Sequence, residues 1–177
     1  MRQQPMTVIS QAVLAQAAIA VGRLSPDERV RFADEIHLRQ PNLLASVLVL
    51  HRMGVSMPQL DVLVNILLIT YHAMKMSENH WPMISEQTQE LCLQRLTAKI
   101  RSIEGLSAEM LNQAVDHHAN EHSERYLLAF VYGQLRDHDL LGVRTEAEKY
   151  LMLAALNLVD CIAATSQIGD SHTFRCA

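Results

Sequence analysis

Glycine and proline occur in this sequence almost only where a helix is expected to begin or end. Three glycines follow apolar stretches with helical spacing: Gly22, Gly54 and Gly142. Three other stretches, starting at Ser25, Ser56 and Thr145, have the capping-box pattern of a Ser or Thr followed three residues later by Glu or Gln. No alternating strand pattern lies between turn residues. The sequence therefore predicts an all-α fold.

The spacing of apolar residues predicts a bundle of seven or eight helices. Four helices are predicted in the first part of the chain, at 6–21, 26–39, 42–53 and 60–76. After the segment 77–84, which breaks the periodicity, one helix is expected to end near Gly105 and the next to begin at Ser107. That second helix is expected to bend near 120–123, and a last helix is predicted to run to about Thr165.

These helices are expected to form one all-α domain over residues 1–165. The loop 77–84 is the point at which the domain would divide into sub-halves, 1–76 and 85–165. Residues 166–177 show no periodicity and are expected to form a flexible C-terminal tail.

The composition excludes several classes of protein. With 177 residues and 49% hydrophobic content, the chain can bury the core of one domain, so disorder is excluded for most of it. The 15 Lys and Arg residues are outnumbered by 19 Asp and Glu residues, so no nucleic-acid partner is expected. The longest apolar runs are shorter than the roughly 20 residues that span a bilayer, so no membrane contact is expected either.

The cysteines and the N-terminal stretch indicate a cytoplasmic protein. Cys92, Cys161 and Cys176 are far apart and form no C-x-x-C pair, which is typical of reduced thiols. The stretch 3–22 carries no charge, but Gln11 and Gln16 interrupt its apolar residues. We therefore interpret it as a first helix and not as a signal peptide.

Two helices carry more apolar surface than a small domain readily hides. The last helix has apolar or small residues on most faces, and the first is nearly uncharged. Exposed apolar faces favour association, so we expect a homo-oligomer and consider a protein partner as well. The alternative is that both helices lie inside the monomer.

One local cluster has the residue types and spacing of a metal site. On a continuous helix His118, Glu121 and His122 fall at positions i, i+3 and i+4, which places three ligand side chains on one face. Imidazole and carboxylate groups bind a divalent metal such as Zn or Fe. The alternative is that both histidines extend an apolar stripe as half-buried residues without any metal.

The histidine pair also has a counterpart among known helical proteins. Together with His51, the pair His118 and His122 is similar to the ligand pattern of small bundles of the DinB-like type. Such bundles bind a metal with one histidine on an early helix and an H-x-x-x-H pair on a later one. In this chain the pair lies mid-chain, with a long helix still to come. The similarity implies that His51 would be a further ligand.

The leading hypothesis is a cytoplasmic helical protein that acts through helix-face association. No complete catalytic constellation is found, so no catalytic or cofactor-binding residue is assigned, no cofactor is expected and an enzyme is disfavoured. The alternative hypothesis is a metal-binding helical-bundle enzyme that uses His118, Glu121 and His122.

Overall fold

The protein is an all-α bundle, as the sequence predicts. The computed structural model describes residues 8–77, 80–103 and 107–170. Within these ranges it has eight α-helices and no strands, and the fold is 81% helical. The helices are α1 Gln11–Gly22, α2 Pro26–Arg39, α3 Pro41–Leu48, α4 Met57–Met76, α5 Glu86–Ile103, α6 Ala108–Glu121, α7 Arg125–Asp137 and α8 Glu146–Asp170. A 3₁₀ helix, Val49–Met53, follows α3 directly.

The three predicted capping boxes all form. At the start of α2, the Glu28 amide donates to Ser25 Oγ at 3.3 Å and the Ser25 amide donates to Glu28 Oε2 at 2.8 Å. Ser56 begins α4 in the same way, and Thr145 exchanges equivalent bonds with Glu148 before α8. These boxes satisfy amides that a helix N-terminus otherwise leaves without a partner.

Four details differ from the predicted elements. The first helix begins at Gln11 and not at residue 6, because the Ser10 hydroxyl accepts the Val13 amide and caps it there; residues 1–7 lie outside the described chain. The end of the predicted helix 42–53 is 3₁₀ and not α. The last helix continues past Thr165 to Asp170, and residues 171–177 lie outside the described chain. On α5 the sequence predicts an apolar stripe of Leu93, Leu96, Ile100 and Ile103, but Leu93 is 39% exposed, whereas Cys92 is buried.

The core is centred on α4 and α8. Helix α4 is apolar on nearly every side and buries, among others, Leu63, Ile66 and Leu67, against α1, α3, α7 and α8. Helix α8 packs along α5 and also contacts α7. This arrangement brings the middle of α8 beside the junction of α6 and α7, where the candidate site lies.

Helix α8 is the longest helix in the described part of the chain and is rich in apolar residues. Its segment Glu146–Ser166 is long and apolar enough to cross a membrane, judged by length and composition alone. In the bundle, 56% of the residues in its most apolar 18-residue stretch are buried. A core helix meets the same criteria, and Leu151, Val159 and Ile162 are each fully buried here.

Candidate metal centre

The site is built around the bend between α6 and α7. Helix α6 ends at Glu121, and His122 adopts an extended conformation with φ −68° and ψ 133°. The Glu124 amide donates to Nδ1 of His122 at 3.0 Å, so the imidazole ring partners an amide at the start of α7. The bend expected near 120–123 is therefore present, and the ring of His122 helps to form it.

The bend brings two histidines to one carboxylate on α8. Nε2 of His122 lies 3.0 Å from Oδ1 of Asp160, and the rings of His118 and His122 meet edge to face with centroids 5.5 Å apart. One ligand atom from each of the three residues lies within 4.8 Å of the others. This donor set, two imidazoles and a carboxylate, is one that Zn and Fe(II) accept.

The hydrogen bonds determine where His122 carries its proton. A backbone amide can only donate, so Nδ1 of His122 is the acceptor and holds the lone pair. In the neutral ring the proton is therefore on Nε2, from which it is donated to Asp160. In this arrangement His122 holds Asp160 in position and has no free nitrogen of its own.

Burial sets the electrostatics of the cluster. The side chains of His122 and Asp160 are only 8% and 14% exposed. Burial, followed by the positive charge of Lys99, lowers the pKa of His118 below its usual value of 6.5. Burial and the charge of Asp160 raise the pKa of Tyr132. At neutral pH His118 is therefore a neutral imidazole, which is the form that binds metals.

Two residues of the cluster, His118 and Asp160, lie in the wall of a cavity of about 220 Å³. The wall is mostly apolar, with residues from α5 to α8: Leu96, Lys99, Ile100, Ser102, Ala114, His118, Leu128, Tyr132, Leu156 and Asp160. Lys99 and Tyr132 add a cationic and a phenolic group beside the imidazole and the carboxylate. A small polar molecule in this cavity would therefore meet an acid, a base and a cation at close range.

The structure brings two of the three predicted ligands together and separates the third. His118 and His122 are both in the cluster, but Glu121 is exposed and its Oε2 lies 3.1 Å from Nε2 of His117. His51 lies in the 3₁₀ helix with Nδ1 3.3 Å from the Val55 carbonyl, outside the cluster. Asp160 was not found from the sequence, because it lies 38 positions after His122 on another helix.

The bundle was compared with known proteins at three levels. A scan against known protein families, a search of curated proteins and a search of solved structures each returned no match.

Proposed function

We propose that this protein binds one divalent transition metal ion, zinc or ferrous iron, through His118, His122 and Asp160. The observation that carries the proposal is the convergence of three ligand atoms, all within 4.8 Å of one another, from residues of which two, His118 and Asp160, line a cavity. Small side-chain rotations would bring these atoms to the roughly 2.0–2.2 Å that zinc requires of nitrogen and oxygen ligands.

Metal binding by His122 requires the proton of its ring to move from Nε2 to Nδ1. Nε2 of His122 can bind a metal only after it loses the proton that it now donates to Asp160. The neutral ring then carries its proton on Nδ1, so the hydrogen bond from the Glu124 amide must open. Losing that bond costs about 1 kcal/mol, which lowers metal affinity roughly fivefold relative to a site already in the required tautomer.

Three protein ligands leave at least one coordination position open. Structural zinc sites are usually closed by four protein ligands, whereas catalytic sites keep a position for water or substrate. Here the cavity beside His118 and Asp160 has room for such a molecule, and Lys99 is placed to attract an anionic one. We therefore propose that the bound metal acts on, or responds to, a small molecule in this cavity.

Metal analysis of protein purified without a histidine tag tests the proposal. We expect near-stoichiometric zinc or iron, and at least a tenfold loss of zinc affinity in both His118→Ala and Asp160→Ala. The matched controls are His117→Ala and Glu121→Ala, which alter an exposed pair on the same helix and should retain the metal. A background metal content, or an Asp160→Ala variant that binds zinc like the wild type, refutes the proposal.

A second measurement follows the proton. Addition of zinc should shift the backbone amide resonance of Glu124 and increase its hydrogen exchange, because its bond to His122 opens. The Phe32 amide, which lies within α2 and outside the cluster, serves as the internal reference. Stoichiometric zinc binding that leaves the Glu124 amide unchanged would mean that His122 is not a ligand.

A second candidate function is association through helix faces. Several large apolar side chains remain more than half exposed, including Leu38 at 79%, Val30 at 63% and Ile19 at 56%. Surfaces of this kind favour contact with another copy or with a partner protein. Light scattering should then show a dimer or larger species that Val30→Lys and Leu38→Lys dissociate. A strict monomer at all concentrations contradicts self-association.

A further inference from the structure

A second cavity, the α5–α8 groove, lies between α5, α8 and the 3₁₀ helix after α3. Its volume is about 420 Å³, within the range of small-molecule sites. Most of its wall is apolar, with contributions from Val49, Leu50, Met53, Leu93, Tyr150, Leu153, Ala154 and Leu158. None of its lining residues contributes to the cavity of the metal centre.

Several polar side chains on the groove wall already use their donors within the protein. The Thr97 hydroxyl donates to the Leu93 carbonyl, and the Tyr150 hydroxyl donates to Glu146. The Gln89 amide nitrogen donates to the Asn42 carbonyl and to the Ser46 hydroxyl. A ligand therefore meets few free hydrogen-bond donors on these side chains.

Asn157 differs from these residues because its side-chain oxygen is a buried acceptor without a partner. Its Nδ2 donates to the Gln89 carbonyl at 3.1 Å, which fixes the orientation of the amide because the reversed orientation would place two oxygens together. The residue is 9% exposed, and its Oδ1 has no hydrogen-bond partner. A buried acceptor without a partner destabilises the unliganded protein, so a ligand that supplies a donor gains by binding there.

We propose that the α5–α8 groove binds an uncharged apolar small molecule that carries one N–H or O–H group, which Oδ1 of Asn157 accepts. The apolar wall provides the binding energy, and the buried, unpartnered Oδ1 of Asn157 provides the orientation. The carboxylate of Glu90 also lines the groove and disfavours anions, so fatty acids and similar carboxylates are poor ligands.

The test uses N-phenyl-1-naphthylamine, an uncharged fluorescent probe with a single N–H group. Its N-methyl derivative is the matched ligand, since it has a similar apolar body and no donor. We expect saturable fluorescence enhancement with the first probe and at least fivefold weaker binding of the second, which is the effect of one hydrogen bond of about 1 kcal/mol. Equal affinity for the two probes overturns the role of Asn157.

Two sets of variants locate the probe. Asn157→Leu should abolish the preference for the N–H probe. Leu93→Glu places a charge in the groove and should weaken both probes at least tenfold, whereas Leu91→Glu, at another exposed site on α5, should not. Equal effects of the two Glu substitutions overturn the site. Probe binding that falls as protein concentration and molecular mass rise would show that a second copy covers the groove, which also overturns the proposal.

Discussion

The carboxylate of Glu124 should be one of the most important polar groups for stability outside the metal site. It is fully buried, and it accepts the Val8 amide at 3.1 Å and the Ile9 amide at 3.2 Å. Burial raises the pKa of this carboxyl, which shows how little water reaches it. Substitution Glu124→Ala removes the partner of both amides at once.

After the substitution, residues 8–9 can either stay in place or leave the core. The expected loss of stability is set by whichever of these costs less free energy. If the segment at residues 8–9 stays in place, the buried Ile9 amide loses its partner at about 1–3 kcal/mol, and the partly buried Val8 amide loses its partner at a smaller cost. If the segment leaves, the fully buried side chain of Ile9 becomes exposed, at about 1.5–3 kcal/mol. Relief of the buried charge offsets part of either loss. We therefore expect Glu124→Ala to lower the free energy of unfolding by about 2 kcal/mol.

Urea denaturation at neutral pH measures this loss, with Asp116→Ala on the exposed side of α6 as a control that should change stability by less than about 0.5 kcal/mol. A double-mutant cycle with Ile9→Ala tests the mechanism. Because both substitutions release the same segment, their combined effect should be smaller than the sum by about 1 kcal/mol. Additive effects, or a loss below about 0.5 kcal/mol for Glu124→Ala, refute the reasoning.

Three further predictions concern the backbone and the helix caps. Gly54 has φ +91°, and a Cβ there would make only ordinary contact with Ala147 at 3.8 Å, so the backbone conformation alone should make Gly54→Ala destabilising, by about 1–2 kcal/mol. Gly133→Ala within α7, where a Cβ meets nothing, should stabilise by about 0.5–1 kcal/mol; thermal unfolding that shows the same sign for both contradicts this. Ser56→Ala should cost about 1 kcal/mol in urea denaturation, because α4 loses its cap; no loss would contradict the capping role. Hydrogen bonds from the Arg144 amide and guanidinium lower the pKa of Glu148 below 4.5, so its contribution to stability is present above that pH and is lost as the pH falls through the lowered value. The difference in melting temperature between wild type and Glu148→Gln should therefore shrink below about pH 4.5, and a constant difference from pH 7 to pH 3 would contradict it.

The helices could be predicted from the sequence because their signals are local. The boxes at Ser25 and Ser56 connect residues three apart, and a hydrogen bond over that distance forms in almost any surroundings. The start of α1 could not be placed in the same way. Ile9 fits the apolar spacing of the helix, but it lies before the cap at Ser10, and its amide is held by Glu124, 115 positions away. Spacing in sequence contains no information about such a contact.

The proposed ligands show the same limit. On an uninterrupted helix, His118, Glu121 and His122 would share a face, but α6 ends at Glu121 and the carboxylate of that residue pairs with His117. The third ligand, Asp160, reaches the histidines only because α8 packs beside the bend. Residue types and spacing therefore pointed to the two imidazoles that lie together in the structure, and tertiary packing determines which carboxylate lies beside them.

The bend that brings this cluster together also opposes metal binding. The cost of that opposition can be compared with the free energy of zinc binding. The hydrogen bond from the Glu124 amide to His122 contributes about 1 kcal/mol and keeps the proton on the nitrogen that would bind the metal. Apparent zinc-binding free energies in small structural sites are about 10–16 kcal/mol at neutral pH. Even if a site with three ligands provides only half of that binding free energy, it exceeds the cost of the Glu124–His122 hydrogen bond by several kcal/mol. The tautomer seen here therefore weakens the proposed site without closing it, and the Glu124 amide reports directly on which partner holds the ring.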